Sequence, residues 1–99
     1  MRRCMLDDLL ACARRLSIEP AEQRPTLAQH MIDQAHAAHH YVKRFGRPHP
    51  HWGNGSLMTR ALADGPFPPR PLCLGSLAVI AAAVDQFRRH TARLRLGLS

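Results

Sequence analysis

The sequence predicts an all-α domain built from four helices, and two observations indicate this fold class. Apolar residues recur at steps of three and four along most of the chain, which is the period of a helix that buries one face. Aromatic residues make up only 5% of the chain and hydrophobic residues 45%, so the core consists mainly of aliphatic side chains, which favour packed helices. At 99 residues the chain is expected to form a single domain over residues 1–99.

The first helix is predicted from an apolar stripe between about Met5 and Leu16. Its first turn carries Asp7 and Asp8 and its last turn carries basic residues, and both placements complement the helix dipole. The residues that follow form a connector, in which Pro20 is expected to start a single helical turn.

The second helix has the clearest pattern in the chain. Thr26 is expected to cap it, with Gln29 completing a capping box, and an apolar stripe then continues for about five turns to Phe45. Gly46 is placed to end the helix in a left-handed conformation, and Pro48 prevents its continuation.

Residues 46–58 form the most unusual segment, since they include the only Trp, two His, two Pro and three Gly. This composition requires a defined backbone path, so we expect an ordered Pro/Gly-rich loop between helices 2 and 3. Either Asn54 or Ser56 is expected to cap the short third helix that follows the loop. The Gly-Asn-Gly-Ser run is therefore explained by a turn and a cap, without a bound phosphate.

The same loop contains candidates for partner binding. Trp52 has two interpretations: it fills the open end of the core, which we favour, or it contacts a partner. Turn and cap chemistry leaves Arg47, His49 and His51 unexplained, so a function of this loop is expected to involve these three residues.

The last helix is predicted from about Leu72 to His90, after a stiff extended crossing over residues 66–71. No polar residue occurs over residues 77–84, so we expect this helix to be apolar on all sides and to lie at the centre of the domain. Residues 88–99 form a basic tail that either extends the helix or frays.

The charge of the chain allows an acidic partner, although a GC-rich genome also raises the Arg content without functional meaning. Its 14 Lys and Arg residues exceed its 7 Asp and Glu residues and give a net charge of +7. The basic tail carries the strongest partner signal, because its arginines flank an apolar seam that can dock a protein, follow nucleic-acid phosphates or self-associate. These arginines are Arg88, Arg89, Arg93 and Arg95.

The second helix also carries a candidate metal site. Asp33, His36 and His40 occur at steps of three and four, so they share one face and can reach a single ion. The more common interpretation of such a face is a solvated surface, which we favour.

The sequence contains no set of residues that indicates catalysis. There is no nucleophile with a base and an orienting group, and neither a P-loop nor a dinucleotide-binding motif is present, so we predict no enzymatic activity, no cofactor and no small-molecule substrate. The three Cys include no C-x-x-C pair, which favours a reducing cytoplasm. The longest apolar run is too short to span a bilayer, so no membrane association is expected.

One segment resembles a known family. Residues 49–58 read HPHWGNGSLM and residues 35–41 read AHAAHHY. This pattern resembles an uncharacterised family of short alphaproteobacterial helical proteins that share the segment H-P-x-W-G-[DN]-G-S-L-M. The resemblance implies a bacterial cytosolic protein and supplies no activity, cofactor or catalytic residue.

Together these patterns predict a non-enzymatic helical interaction, adaptor or regulatory protein that acts through a protein partner or through its own oligomer. The first alternative is a nucleic-acid-binding protein that uses the Arg-rich C-terminal segment. The second alternative is a metal-binding protein that uses the His and Asp face of the second helix.

Overall fold

The structure, a computed structural model, describes residues 1–65 and 71–97. Within these residues the fold is all-α with four helices and no strand, which confirms the predicted class. None of the described helices is long and apolar enough to cross a membrane. The helices are α1 (Leu6–Ser17), α2 (Arg24–Phe45), α3 (Leu57–Leu62) and α4 (Leu74–Arg95), with a 3-10 turn (Ala21–Gln23) before α2. Apart from Pro71, the predicted proline-rich crossing lies outside the described residues.

The C-terminal end of α1 is capped by the side chain of Arg24, the first residue of α2. The predicted helical turn after Pro20 is present and brings the chain back towards α1. The Arg24 guanidinium then donates hydrogen bonds to the carbonyls of Leu16, at 3.1 Å, and Glu19, at 3.0 Å. These bonds satisfy carbonyls that have no partner within the helix.

The prediction that Thr26 caps α2 is wrong, whereas the predicted end of this helix is confirmed. α2 begins at Arg24, directly after the 3-10 turn, so Thr26 lies inside its first turn. Pro25 is accommodated there because an N–H group in the first turn has no helical partner. At the other end Gly46 adopts the left-handed conformation, with a φ of 69°, and its N–H donates to Val42 at 2.8 Å.

The core lies between α1, α2 and α4, with α3 packed against α1 and α2. Burying a side chain of the size of Leu or Ile contributes about 1.5–3 kcal/mol, so the large side chains buried in this core supply most of the stabilisation. The largest fully buried hydrophobic side chains are Leu16, Met31, Ile32, Leu57 and Ile80.

The expectation that the last helix is buried on every side is wrong. α4 packs on α1 and α2 through a face that includes Ile80 and Val84, whereas Ala78, Ala81 and Ala82 on the other face are exposed. An exposed Ala adds little apolar surface, so this face is tolerated although it contains no polar residue. α4 continues to Arg95, so this part of the basic tail is helical rather than frayed.

An ion-pair network joins α1 to the end of α3. The Asp64 carboxylate lies 2.7 Å from Arg15 Nε and 3.2 Å from Arg60 Nη1. Arg60 is buried, and its Nε also donates to the side chain of Gln34 on α2. Burial alone would raise the pKa of Asp64, but the contacts with both arginines outweigh burial and lower the pKa.

This network is expected to make the protein sensitive to acid. Because its pKa is lower in the folded state, Asp64 contributes stability that is fully present above the ordinary value of 3.8 and is lost as the pH falls through the lowered value. Asp64→Asn should lower the free energy of unfolding by about 1 kcal/mol at neutral pH and by less in acid, as measured by urea unfolding. Asp85→Asn, at an exposed ion pair with Arg89, is the control and should change little. An equal loss for Asp64→Asn at both pH values would contradict this account.

Candidate functional site

The N-terminal segment, residues 1–5, is held against the domain by hydrogen bonds that its backbone N–H groups donate. The Arg2 N–H donates to the Gly55 carbonyl at 2.9 Å, which ties the segment to the loop before α3. The Met5 N–H donates to the Asp8 carboxylate at 2.8 Å, which fixes the entry into α1. The segment therefore has a defined position and forms a wall beside α4.

A groove of about 810 Å³ separates this wall from the C-terminal half of α4. Its apolar lining includes Leu6, which is 68% exposed, and Leu96, which is 74% exposed. Covering such side chains is favourable by about 25 cal/mol per Å² of apolar surface removed from water. We call this feature the arginine groove; it is lined by residues 1–6 and by Phe87, Arg88, Thr91, Ala92, Arg95 and Leu96.

Positive charge is concentrated on both walls of the arginine groove. Arg2 and Arg3 line it from the N-terminal segment, and Arg88 and Arg95 line it from α4. No Asp or Glu is among the lining residues of the described chain. Charges of one sign along a concave surface raise the local concentration of oppositely charged groups.

The other arginines of the basic tail lie outside this groove. Arg89 pairs with Asp85 at 3.1 Å, and both side chains are largely exposed. Arg93 is also exposed and is not among the lining residues. The structure therefore divides the four predicted arginines into a groove pair, Arg88 and Arg95, and a pair on other faces of the same helix.

The loop between α2 and α3 forms a tight turn around His49. The His49 N–H donates to the Gly53 carbonyl at 2.8 Å, and the Gly53 N–H donates back to the His49 carbonyl at 3.2 Å. The His49 Nδ1 accepts hydrogen bonds from the backbone N–H groups of His51, at 3.0 Å, and Trp52, at 3.1 Å. His49 therefore organises the turn, which gives this side chain a structural role that the sequence left unexplained.

Trp52 lies outside the hydrophobic core of the described chain, so the favoured prediction that it fills the open end of the core is wrong. Its ring is half-buried and stacks on His49, with ring centroids 4.6 Å apart and an interplanar angle of 8°. The ring of Tyr41 also packs on His49 in a T-shaped arrangement, with ring centroids 4.9 Å apart. The turn prevents Trp52 from entering the core because it directs the ring onto its own loop. Binding of a partner by Arg47, His49, His51 and Trp52 stays a prediction.

The Gly-Asn-Gly-Ser run caps α3, as predicted. The Ser56 hydroxyl accepts a hydrogen bond from the Thr59 N–H at 3.2 Å, and the Asn54 side chain accepts one from the Ser56 N–H at 3.1 Å. A second cap comes from α1, where the buried Asp8 carboxylate accepts a hydrogen bond from the Met58 N–H at 2.9 Å. Sequence analysis missed this role of Asp8, because the two residues lie 50 positions apart.

Two of the three residues of the candidate metal site are brought together. The Nε2 atoms of His36 and His40 lie 3.1 Å apart, whereas Asp33 accepts a hydrogen bond from Gln29 at 3.0 Å. Burial and the positive charge of the Met1 amino group lower the pKa of His36. Over residues 1–65 and 71–97, no group of three or more His, Cys, Asp or Glu side chains is arranged to hold a metal ion. Metal binding stays a prediction, which elemental analysis of untagged protein tests.

Taken together, these features define a small all-α domain with an apolar groove between arginine-bearing walls. Residues 2–85 match the family described as a domain of unknown function, DUF7742, and the chain belongs to this family. The match includes the N-terminal wall of the arginine groove from Arg2 and ends at Asp85, before the α4 wall. No curated protein and no solved structure matches the chain.

Proposed function

We propose that this protein is a non-enzymatic helical interaction protein that binds an acidic amphipathic helix of a partner protein in the arginine groove. The observation that carries the proposal is the combination of exposed leucines in the groove with arginines on both of its walls. Apolar anchors on the partner would cover the leucines, and acidic side chains beside those anchors would meet the arginines.

The dimensions of the groove support a helical partner. The α4 wall runs from Phe87 to Leu96, which corresponds to a length of about 14 Å at 1.5 Å per residue. A partner helix that lies along this wall presents residues at i, i+3, i+4 and i+7, and these cover about two turns. Arg88 and Arg95 are also two turns apart, so they lie on the same face and can meet acidic residues at both ends of that stretch.

The experiment is a calorimetric titration with a synthetic amphipathic peptide that has Leu on one face and Glu on both flanks. The double variant Arg88→Glu/Arg95→Glu should weaken binding about tenfold or more, because it places like charges along the groove. The double variant Arg89→Glu/Arg93→Glu makes the same charge change on the same helix outside the groove and should retain most of the affinity. Equal affinities for both double variants, or equal binding of a peptide with Lys in place of Glu, would contradict the proposal.

The same variants separate this function from nucleic-acid binding, the alternative that rests on the basic tail. A protein that follows phosphates should lose affinity for duplex DNA similarly in both double variants, and its binding should weaken steeply with salt. Self-association through the groove would appear in gel filtration as a larger species that Arg88→Glu/Arg95→Glu disrupts.

We place the protein in the bacterial cytoplasm, which is supported by the unpaired cysteines and the lack of a helix that spans a membrane among the described residues. We also propose that the H-P-x-W-G-[DN]-G-S-L-M segment is characteristic of the alphaproteobacterial members of this family. The structural roles of Asn54, Gly55 and Ser56 support that part of the proposal.

A further inference from the structure

Cys73 occupies a chemically distinctive position at the start of α4. It is the N-cap residue of this helix and is half-exposed. The Arg24 Nη1 donates to its sulfur at 3.9 Å. The N-terminus of a helix and a guanidinium both stabilise negative charge, so both favour the thiolate form.

The position of Arg24 is fixed by the fold. Its Nε and Nη2 atoms donate to backbone carbonyls at the end of α1, namely those of Leu16, Ser17 and Glu19. The guanidinium therefore bridges α1 and the start of α4. Because its other nitrogens are engaged, it is held beside the sulfur rather than passing it transiently.

The environment of Ser76 is a second observation that favours a thiolate at Cys73. It lies one turn into α4, is fully buried, and its hydroxyl faces Cys73. Within the described chain this hydroxyl has no hydrogen-bond partner of regular geometry. A buried donor without an acceptor costs free energy, and a thiolate at Cys73 would supply that acceptor.

The other two cysteines have the opposite environment. The Ser76 hydroxyl, which would donate to a thiolate at Cys73, lowers the pKa of Cys73, and the charge of Arg24 lowers it further. Burial raises the pKa of Cys12 to about 12, and burial together with the charge of Asp8 raises the pKa of Cys4. Cys73 is thus the described cysteine whose surroundings favour a nucleophile.

We propose that Cys73 is a thiol modification site that forms mixed disulfides with low-molecular-weight disulfides. In this step the Cys73 thiolate attacks one sulfur of the small disulfide, a new S–S bond forms, and the original S–S bond breaks. The other sulfur of the small molecule leaves as a thiolate, so Cys73 is oxidised while the leaving sulfur is reduced. The arriving group would lie against Arg24, which suits an anionic substituent such as the carboxylates of glutathione.

The fold places no second thiol beside Cys73 to resolve the mixed disulfide. Cys73 lies at the end of α1 that Arg24 caps, whereas Cys4 precedes the opposite end of a helix about 18 Å long. Cys12 is fully buried and donates to the Leu57 carbonyl. The modification would therefore persist until an external thiol removes it.

The test uses the native full-length protein and glutathione disulfide, with peptide mapping by mass spectrometry over a series of pH values. Cys73 should form the mixed disulfide about tenfold faster than Cys4, and Cys12 should not react while the protein is folded. The reaction of Cys73 should reach its half-maximal rate at a lower pH than that of an ordinary thiol. A rate for Cys73 no greater than that for Cys4 would overturn the proposal.

Two variants test the proposed cause. Ser76→Ala and Arg24→Gln should each slow the reaction of Cys73 severalfold and move its half-maximal rate to higher pH, while Arg14→Gln, at an exposed position of α1, should have no effect. If Arg24→Gln does not fold, Ser76→Ala decides, because Ala fills the buried site with little change in volume. An unchanged pH profile in folded Ser76→Ala would overturn the proposal. Since Cys73 lies outside the arginine groove, either result is independent of the proposed function.

Discussion

Gly55→Ala is expected to lower the free energy of unfolding by about 3–4 kcal/mol, as measured by urea or thermal unfolding. Gly55 has a φ of +97°, a backbone conformation that residues other than glycine rarely adopt. A Cβ atom there would also lie 2.7 Å from both Cα and Cβ of His39. Because His39 belongs to α2, its backbone cannot move away without disturbing that helix.

A second glycine separates these two contributions. Gly46 also has a positive φ, of +69°, but a Cβ atom there would meet nothing within 4 Å. Gly46→Ala should therefore report the conformational cost alone, about 1 kcal/mol. If both variants lost the same amount, the close packing of the loop on α2 would not contribute as described.

Asp8→Ala is expected to cost about 3 kcal/mol of folding stability. The Asp8 carboxylate is 5% exposed and accepts hydrogen bonds from the N–H groups of Met5 and Met58, so it caps both α1 and α3. Its removal leaves two backbone donors without partners near the core. Asp8→Asn should also destabilise the protein, because an amide can offer only one oxygen to the two donors.

Asp7 provides the matched control for this variant. It lies in the same helical turn but is exposed, so Asp7→Ala should lose only a favourable interaction with the helix dipole, about 0.5 kcal/mol. Chemical denaturation of both variants measures the difference. Similar losses for Asp7→Ala and Asp8→Ala would mean that the hydrogen bond to α3 adds little stability.

The contrast between these two aspartates shows which structural features can be predicted from the sequence and which cannot. Helix dipoles, caps and apolar periodicity act over about four residues, so α1, the turn after Pro20, the end at Gly46 and the cap at Ser56 could be predicted. The hydrogen bond that the Asp8 carboxylate accepts from α3 could not be predicted, since it depends on how two helices pack. From the sequence, both residues are simply acidic side chains in a first turn.

Packing also explains the predictions that failed. Thr26 has the local pattern of a cap, but the preceding 3-10 turn runs directly into α2 and places this residue inside the helix. Trp52, the only Trp, is predicted to fill the open end of the core, but the turn around His49 directs it onto the loop. The alanines of α4 are apolar, yet they remain exposed because no described helix covers that face.

Part of the arginine groove can be predicted from the sequence. The basic tail carries the strongest partner signal in the sequence, and two of its residues, Arg88 and Arg95, line the groove. Periodicity within one helix does not show that the N-terminal segment forms the opposite wall. That placement depends on contacts between residues far apart in the sequence, such as the hydrogen bond from the Arg2 N–H to the Gly55 carbonyl.

The most direct test of the central claim is an NMR titration of isotope-labelled protein with the acidic amphipathic peptide. We predict that the largest chemical-shift changes occur at the backbone amides of residues 2–6 and 87–96, which line the two walls of the arginine groove. Changes centred on residues 41–53, around His49 and Trp52, or no changes at saturating peptide, would contradict it.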